Sequence, residues 1–316
     1  MAKTSGLGDN FYIGGYDLSG DLASLDKVSG GPATLDSTPI KALAHSRLFG
    51  LRQGSMSFTS FFEYTPTITT PGFPGSNSPV ANTYNVPVLV TIIGGTLTNV
   101  LVNGVSVGTT AGTYTVPAGG TIAVVYSVAP TWNWFALGTV HNALKTPISS
   151  SDLEAMYCRG TTIGNPAACL NSKQTNYDPT RDNSGGLTLK VDLVSNGFGL
   201  EWGTLLTAGL RTDTSVTTGA FVDQGAGSSF GAQAYLQIVD LVGTNVDVSI
   251  THCATSGGTY TTLMDFGSQT GIGGFRQSVS NVTTVNEFLK VVTAGTFTYV
   301  TFAVAFVRNP IAGQVF

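Results

Sequence analysis

The chain has 316 residues, only 10% of which are charged, and its formal net charge is −4. That length allows two or three domains with substantial cores, and the acidic balance excludes the basic surface with which proteins wrap nucleic acid. Gly contributes 40 residues. Abundant Gly, Thr, Ser and Val with little charge is typical of turn-rich antiparallel β-structure. Low charge is also typical of a protein whose surface is largely covered by copies of itself. The alternative explanation of the low charge is a neutral extracellular β protein.

Membrane spans and leader segments are not indicated. The most apolar stretches, 86–93 and 302–307, have the length of strands and are far shorter than a membrane span. The first six residues lack the apolar core of a signal peptide. Three cysteines form neither a metal-ligand pattern nor a disulfide framework. We predict that they are small buried hydrophobes of a chain made in a reducing cytoplasm; they are Cys158, Cys169 and Cys253.

The first 62 residues are predicted to combine short strands with one helix. Residues 11–13 and 16–18 lie on either side of Gly14-Gly15 and predict a short hairpin. Residues 40–51 are the first predicted helix, which Gly50 would end. From 55 to 61 polar and apolar residues alternate, which predicts a strand.

An uncharged insert follows. From residue 64 to residue 144 the chain has 81 consecutive residues without Asp, Glu, Lys or Arg. Asn103-Gly104 between two Val-rich runs is a strong hairpin signal. The predicted strands are 86–93, 97–102, 105–107, 113–116 and 122–128. They indicate a small Ig-like β-sandwich, inserted as a unit over residues 63–137.

The main chain resumes at about residue 138. Ser149 to Glu154 offer N-cap and acidic first-turn residues, so a short helix is predicted through Tyr157. Strands are predicted at 167–177 and 187–194, and another is predicted to begin within residues 198–202. Together with residues 1–62, the segment 138–215 is predicted to form one discontinuous β domain.

The C-terminal part is predicted to be a separate β-sandwich over residues 228–316, after a Gly/Ser/Thr-rich linker at 212–229. Its strands are predicted at 234–242, 246–252, 259–264, 287–292 and 296–307. In the last strand, four large side chains share one face and two alanines lie opposite. This pattern predicts a central strand that is buried on both sides; its residues are Val300, Phe302, Val304 and Phe306 on one face, and Ala303 and Ala305 on the other.

One active-site signature occurs in the sequence. Residues 104–108 match G-x-S-x-G, the nucleophile elbow of α/β-hydrolases, in which a strained turn joins a strand to a helix. Here Ser106 lies in Val-Ser-Val alternation directly after an Asn-Gly turn, and no helix is predicted to follow. We therefore predict that Ser106 is a strand residue. A hydrolase that uses Ser106 is the least favoured of our three hypotheses for the function of this chain.

Other polar features favour structural roles. The three histidines, His45, His141 and His252, are far apart in sequence and are predicted at surface or satisfied core positions. The loop 178–185 lacks the residue order and distal Glu of a calcium loop, so a polar turn is expected. Asn281-Val282-Thr283 matches a glycosylation sequon, which matters only on a secretory route. We predict no catalytic, cofactor-binding or metal-binding residues, and no enzyme activity.

Several segments resemble the tail tube (major tail) proteins of tailed bacteriophages. The resemblance covers residues 1–62 and 138–215, with an extension to about 309, and it rests on five short segments: MAKTSGLGDNFY (1–12), YDLSGD (16–21), GLRQGSMSF (50–58), YCRGTT (157–162) and GLEWG (199–203). Members of that family carry Asp at the position of Gln53 and lack the uncharged insert. The insert would therefore have to project outward, because it is too large for a tube lumen.

The resemblance implies a β-sandwich flanked by a helix, which assembles into stacked hexameric rings around a channel through which DNA passes without specific binding. Its partners would be copies of itself and other tail proteins, such as the tape measure and the tail terminator, in a virion assembled in the host cytoplasm. The alternative is a capsid decoration or a host-surface protein that binds glycans through one of its sandwiches. A mainly β virion protein without cofactors is our leading hypothesis.

Overall fold

The computed structural model describes residues 6, 8–41, 43–62, 67–84, 88–117, 119–136, 140–146 and 151–312, with residue 142 described by its backbone only. As predicted, the fold is mainly β: within these ranges the chain forms 22 strands and one five-residue helix. In chain order the first elements are β1 Asn10–Ile13, β2 Tyr16–Asp17, β3 Leu22–Asp36, β4 Arg47–Phe61, β5 Val80–Ala81, β6 Val88–Ile93, β7 Thr96–Val102, β8 Val105–Gly108, β9 Gly112–Val116, β10 Thr121–Val128, β11 Thr131–Ala136 and α1 Val140–Leu144. The remaining elements are β12 Leu153–Cys158, β13 Pro166–Gln174, β14 Asp178–Arg181, β15 Leu187–Ser195, β16 Glu201–Leu205, β17 Arg211–Asp213, β18 Val222–Asp223, β19 Ala232–Cys253, β20 Thr261–Gln269, β21 Gly273–Val279 and β22 Phe288–Arg308.

The chain divides into two compact units. The larger one comprises Met1–Phe62 and Ala143–Phe316, and the smaller one comprises Glu63–Asn142. The predicted domain 228–316 and all but residues 138–142 of the predicted domain 1–62 plus 138–215 lie within the larger unit, where β22 pairs with β16 and with β17. Strands from the two predicted domains therefore share one sheet.

The smaller unit is a sandwich of two antiparallel sheets. One has the strand order β5-β10-β7-β8 and the other has the order β11-β6-β9. All five strands predicted for the insert are present, within a residue or two at their ends in the described ranges, and β11 adds a sixth long strand. Alternate side chains of both sheets meet in one apolar core, whose buried members are Val88, Val90, Ile92, Val100, Val116, Ile122, Val124, Trp132 and Trp134.

The larger unit is built on one antiparallel sheet of 15 strands. Its main path runs β2-β1-β12-β13-β16-β22-β19-β20. The other strands branch from this path: β15 pairs with β13 and carries β14 and β4, β3 pairs with β4, β17 and β18 pair with β22, and β21 pairs with β19.

Strand β22 is buried on both faces, as its sequence predicts. Its residues Val300, Phe302, Val304 and Phe306 belong to one core cluster, together with residues of β19 and β20. Ala303 and Ala305 belong to a second cluster with Tyr12, Tyr235 and residues of β12 and β13. The predicted segments 287–292 and 296–307 form this single strand, and 234–242 with 246–252 form β19. The pairing register shifts at Gly243, whose φ is 151°, so the predicted interruption is a β-bulge.

The helix predicted at 40–51 is wrong. Residues 47–51 begin strand β4, which pairs with β3 from Leu22↔Ser60 to Asp36↔Arg47. Cross-strand pairing along β3 prevails over the helix propensity of a short segment, as tertiary context commonly does.

The helix predicted through Tyr157 is also wrong where the structure describes it. Leu153 to Cys158 form β12, which lies between β1 and β13 in the sheet. Residues 149 and 150, which suggested the N-cap, lie outside the described residues. Four of the six residues of β12 are buried, and pairing with strands on both edges outweighs the capping signal.

The linker predicted at 212–229 is wrong as well. Within it, Thr212 and Asp213 pair with Thr301 and Val300, and Val222 pairs with Leu289. Thr218 also forms an isolated bridge to Val292. Strands β17 and β18 have three and two residues, which are too few to show a hydrophobic period in the sequence. Their register is set by pairing with β22.

Candidate functional surface

The G-x-S-x-G motif does not form a nucleophile elbow. Ser106 lies in β8, which pairs with β7 through Val102↔Val105, and the next element is strand β9. Its hydroxyl donates a hydrogen bond to Oδ1 of Asn99 at 2.6 Å. Ser106 is therefore an exposed strand residue, as predicted.

The histidines lie in different surroundings. His45 is exposed, and its Nδ1 lies 3.1 Å from Oδ2 of Asp36. His252 lies in β19, where its Nδ1 accepts a hydrogen bond from the backbone N–H of Asn286 at 3.2 Å. Partial burial, with a smaller contribution from Arg308, lowers the pKa of His252 below its ordinary value. These are satisfied structural positions; His141 is half-buried in α1.

The segment 178–185 is only partly the predicted polar turn: residues 178–181 form strand β14, and the turn that joins it to β15 begins at Asp182. Oδ1 of Asp182 accepts hydrogen bonds from the backbone N–H groups of Ser184 at 2.9 Å and Gly186 at 2.7 Å. The Ser184 hydroxyl donates to the same oxygen at 2.7 Å, and this bond, followed by that from Gly186, lowers the pKa of the Asp182 carboxyl. In the described part of the chain no three His, Cys, Asp or Glu side chains are grouped so that they could hold a metal ion.

A buried ion pair that sequence reasoning missed joins three strands of the larger unit. Glu201 of β16 is fully buried, and its Oε1 accepts a bond of 2.8 Å from Nη2 of Arg276 in β21. Tyr235 of β19 donates its hydroxyl to Oε2 of Glu201 at 2.6 Å. The Arg276 guanidinium also lies 3.6 Å from the ring centre of Phe198, a stacked cation–π geometry.

This arrangement serves the fold. Burial, and then the charge of Glu201, raise the pKa of Tyr235, so the phenol stays protonated and donates. Both oxygens of the Glu201 carboxylate have partners within the protein. Glu201 and Arg276 are 75 residues apart in the sequence, and Tyr235 lies on a third strand. Only the strand register of the sheet brings these three side chains together.

The most unusual surface lies on the hairpin of β3 and β4. At its base, Gly30 pairs with Gly54, and Leu200 lies across both glycines. A Cβ added at Gly54 would lie 2.6 Å from the backbone nitrogen of Leu200, so only glycine allows this approach. The backbone N–H of Gly54 also donates to Oγ of Ser195 at 2.8 Å.

Beyond this base, residues 31–41 and 43–53 form what we call the arm. Its strands continue to pair through Leu35↔Leu48 and Asp36↔Arg47. Within the described ranges neither strand has another partner there, because the pairing of β4 with β15 extends only from Ser55 to Phe61. The arm is therefore a two-stranded ribbon.

The end of the arm is closed by polar bonds. Oδ1 of Asp36 accepts a hydrogen bond of 2.9 Å from the backbone N–H of Thr38, and the Thr38 hydroxyl donates to the same oxygen. The backbone N–H of Ser46 donates to Oγ1 of Thr38 at 2.8 Å, and that of Ser37 to the Ser46 carbonyl at 2.9 Å. Hydrogen bonds from Thr38, and then from His45, lower the pKa of Asp36.

Six large apolar side chains of the arm are open to solvent. Soluble monomers rarely expose so many apolar groups on one element. They are Ile40 and Leu43, both fully exposed, Leu51 at 88%, Phe49 at 79%, and Leu35 and Leu48 at 59% each. The sequence signal was present in the apolar residues around Gly50, but we interpreted it as a helix.

Known proteins give no family assignment for this chain. No protein-family model matches it, and no curated protein is significantly similar. One solved structure with weak likeness is a conserved protein of unknown function from Pseudomonas aeruginosa PAO1, which is 8% identical, with 94% of this chain and 99% of that chain covered and a TM-score of 0.19. Another is that of infectious bursal disease virus, Gt strain, with 13% identity, coverage of 88% and 75%, and a TM-score of 0.17. At these TM-scores neither likeness carries an argument.

Among the described helices there is none with the length and apolarity needed to cross a membrane.

Proposed function

We propose that this chain is a non-enzymatic structural protein of a virion, and that its specific role is the tail tube subunit of a long-tailed phage. The observation that carries the proposal is the exposed apolar arm. Six large apolar side chains on a two-stranded ribbon are unfavourable in water and become favourable when another surface covers them. A protein that assembles with copies of itself provides such a surface in every copy.

Two further features support self-assembly. Only 10% of the residues are charged, and charge is depleted at the cores of protein interfaces. Among the strands that the structure describes, β3 pairs only with β4 along its 15 residues, so its outer edge offers backbone N–H and C=O groups to a neighbouring chain. The tail tube role itself rests on the sequence resemblance of residues 1–62 and 138–215.

Assembly of the purified protein tests the proposal. We expect rings of uniform diameter, and stacks of such rings, in negative-stain electron micrographs, together with concentration-dependent sedimentation. A chain that stays monomeric at high concentration, alone and with other tail proteins of the same phage, would contradict it. Binding to isolated capsids or to a glycan array, without ring formation, would instead favour the decoration or host-surface role.

A further inference from the structure

The arm is apolar on both of its faces. Leu35 and Leu48 are cross-strand partners and share one face. Phe49 follows Leu48 along β4, so it lies on the opposite face. Leu51 lies at a register shift, where Gly50 and Leu51 of β4 stand together opposite Ala33 of β3. An antiparallel sheet that keeps one face in water carries polar residues there, whereas strands with apolar residues on both faces are covered on both.

The arm is also formed before any partner binds. Its base is fixed where Leu200 packs on Gly30 and Gly54, and its end is closed by the hydrogen bonds of Asp36 and Thr38. A segment that is already in its bound form loses little conformational entropy on docking. It can therefore bind as a rigid element.

Charge identifies the partner. Within residues 31–53 the arm carries Lys41, Arg47 and Arg52 against one carboxylate, Asp36, so its net charge is 3 − 1 = +2. The whole chain carries −4, so the other residues carry −4 − 2 = −6. A basic apolar arm and an acidic body attract each other when they belong to different copies.

We propose that the arm inserts into a second copy of this chain, whose acidic body covers both apolar faces. This inference rests on the proposed function and identifies the element that makes the contact. The exposed apolar side chains supply affinity, and the cations of the arm favour a copy of the same acidic chain. A nucleic acid would require a far denser set of cations than three.

Paired substitutions on each face of the arm test the inference. In the full chain, Leu35→Ser with Leu48→Ser removes one apolar face, and Phe49→Ser with Leu51→Ser removes the ring on the other face together with the exposed leucine at the register shift. We expect each pair to raise the concentration for half-assembly, measured by sedimentation velocity, about tenfold or more. The control pair Val216→Ser with Val282→Ser replaces apolar residues that are similarly exposed outside the arm, at 62% and 78%, and should leave assembly unchanged.

A charge reversal tests the choice of partner. Lys41→Glu should weaken assembly, whereas Lys145→Glu, which changes the net charge equally at an exposed position outside the arm, should have less effect. Equal effects would show that only net charge matters and would remove the charge argument. Circular dichroism should show the same β-structure in every variant.

A crosslinker at the end of the arm identifies its partner directly. With Leu43 replaced by p-benzoylphenylalanine, irradiation of the assembled protein should yield a species of twice the 32.7-kDa chain mass, with the crosslink on a residue outside 31–53. Assembly of both face variants at the wild-type concentration would overturn the insertion while leaving the proposed function intact. Sensitivity of only one face would show that the arm lies on a surface and does not insert. A wild-type chain that never assembles would overturn both proposals.

Discussion

Two long antiparallel pairs in the larger unit, β3–β4 and β19–β22, carry apolar side chains on both faces, yet only one of them is covered. On β22, Phe302 faces one core cluster and Ala303 faces the other, and both are fully buried. On β4, Phe49 and Leu48 face opposite sides and both are exposed. The residue pattern is similar, but the surroundings differ.

The difference arises from strand pairing. Strand β22 has partners on both edges, with β19 on one side and β16, β17 and β18 on the other. The arm has no strand on either outer edge in the described residues. A two-faced apolar strand therefore predicts that both faces will be covered, but it does not say whether the same chain or another chain covers them.

A large-to-small substitution in each pair should give the largest contrast. Phe302→Ala removes a fully buried ring and should lower the free energy of unfolding by about 3–5 kcal/mol, because it leaves a cavity. Phe49→Ala should change it by less than about 0.5 kcal/mol, since this ring is exposed in the unassembled chain. Urea unfolding of dilute, unassembled protein measures both. A comparable loss in the two variants would mean that the arm packs on its own chain.

The pH dependence of stability should also differ between the covered part of the sheet, which includes β12, and the arm. Burial raises the pKa of Glu154 in β12 from 4.5 to about 7. The folded protein thus binds a proton more tightly than the unfolded chain, and stability is lost as pH rises from 4.5 through 7, by about 3 kcal/mol. Glu154→Gln should abolish this slope in unfolding experiments between those pH values.

Asp36 of the arm provides the control, because its pKa is shifted the other way. Hydrogen bonds from Thr38 lower that pKa below 3.8, so any stability it contributes is present above 3.8 and is lost only at lower pH. Asp36→Asn should leave the slope between pH 4.5 and 7 unchanged. If that slope persists in the Glu154 variant, another group must cause it.

The smallest contrast is expected at two glycines of β4. Gly54→Ala places a Cβ 2.6 Å from the nitrogen of Leu200 and should cost about 1–3 kcal/mol through overpacking. At Gly50, in the arm, the nearest atom to an added Cβ is the carbonyl oxygen of Ala33 at 3.4 Å. Gly50→Ala should therefore change stability by less than about 0.5 kcal/mol. Thermal unfolding of both variants tests whether the hairpin is tightly packed at its base and not in the arm.

Much of the fold was predictable because its signals are local. The alternation around Phe302 predicted a strand buried on both faces, and Asn103-Gly104 predicted the turn between β7 and β8. Segments whose structure depends on distant partners were mispredicted: residues 212–229 acquire their strands from β22, and residues 153–158 from β1 and β13.

The candidate surface was only partly predictable, for the same reason. Apolar residues between 40 and 51 were visible in the sequence, but a helix and a ribbon bury them differently. Their exposure depends on the end of the β4–β15 pairing at Ser55, which no local pattern reveals. The contact between Glu201 and Arg276 likewise depends on strand register.

The discontinuity of the larger unit sets the order in which the protein can fold during synthesis. Every described strand of the smaller unit lies between Val80 and Ala136, so that sandwich can close soon after the last of these strands leaves the ribosome. In contrast, β1 must wait for β12, and β16 for β22, which ends at Arg308. The base of the arm, at Gly30 and Gly54, therefore emerges early but can pack only after Leu200 has been made. During that interval unpaired strands are open to premature association.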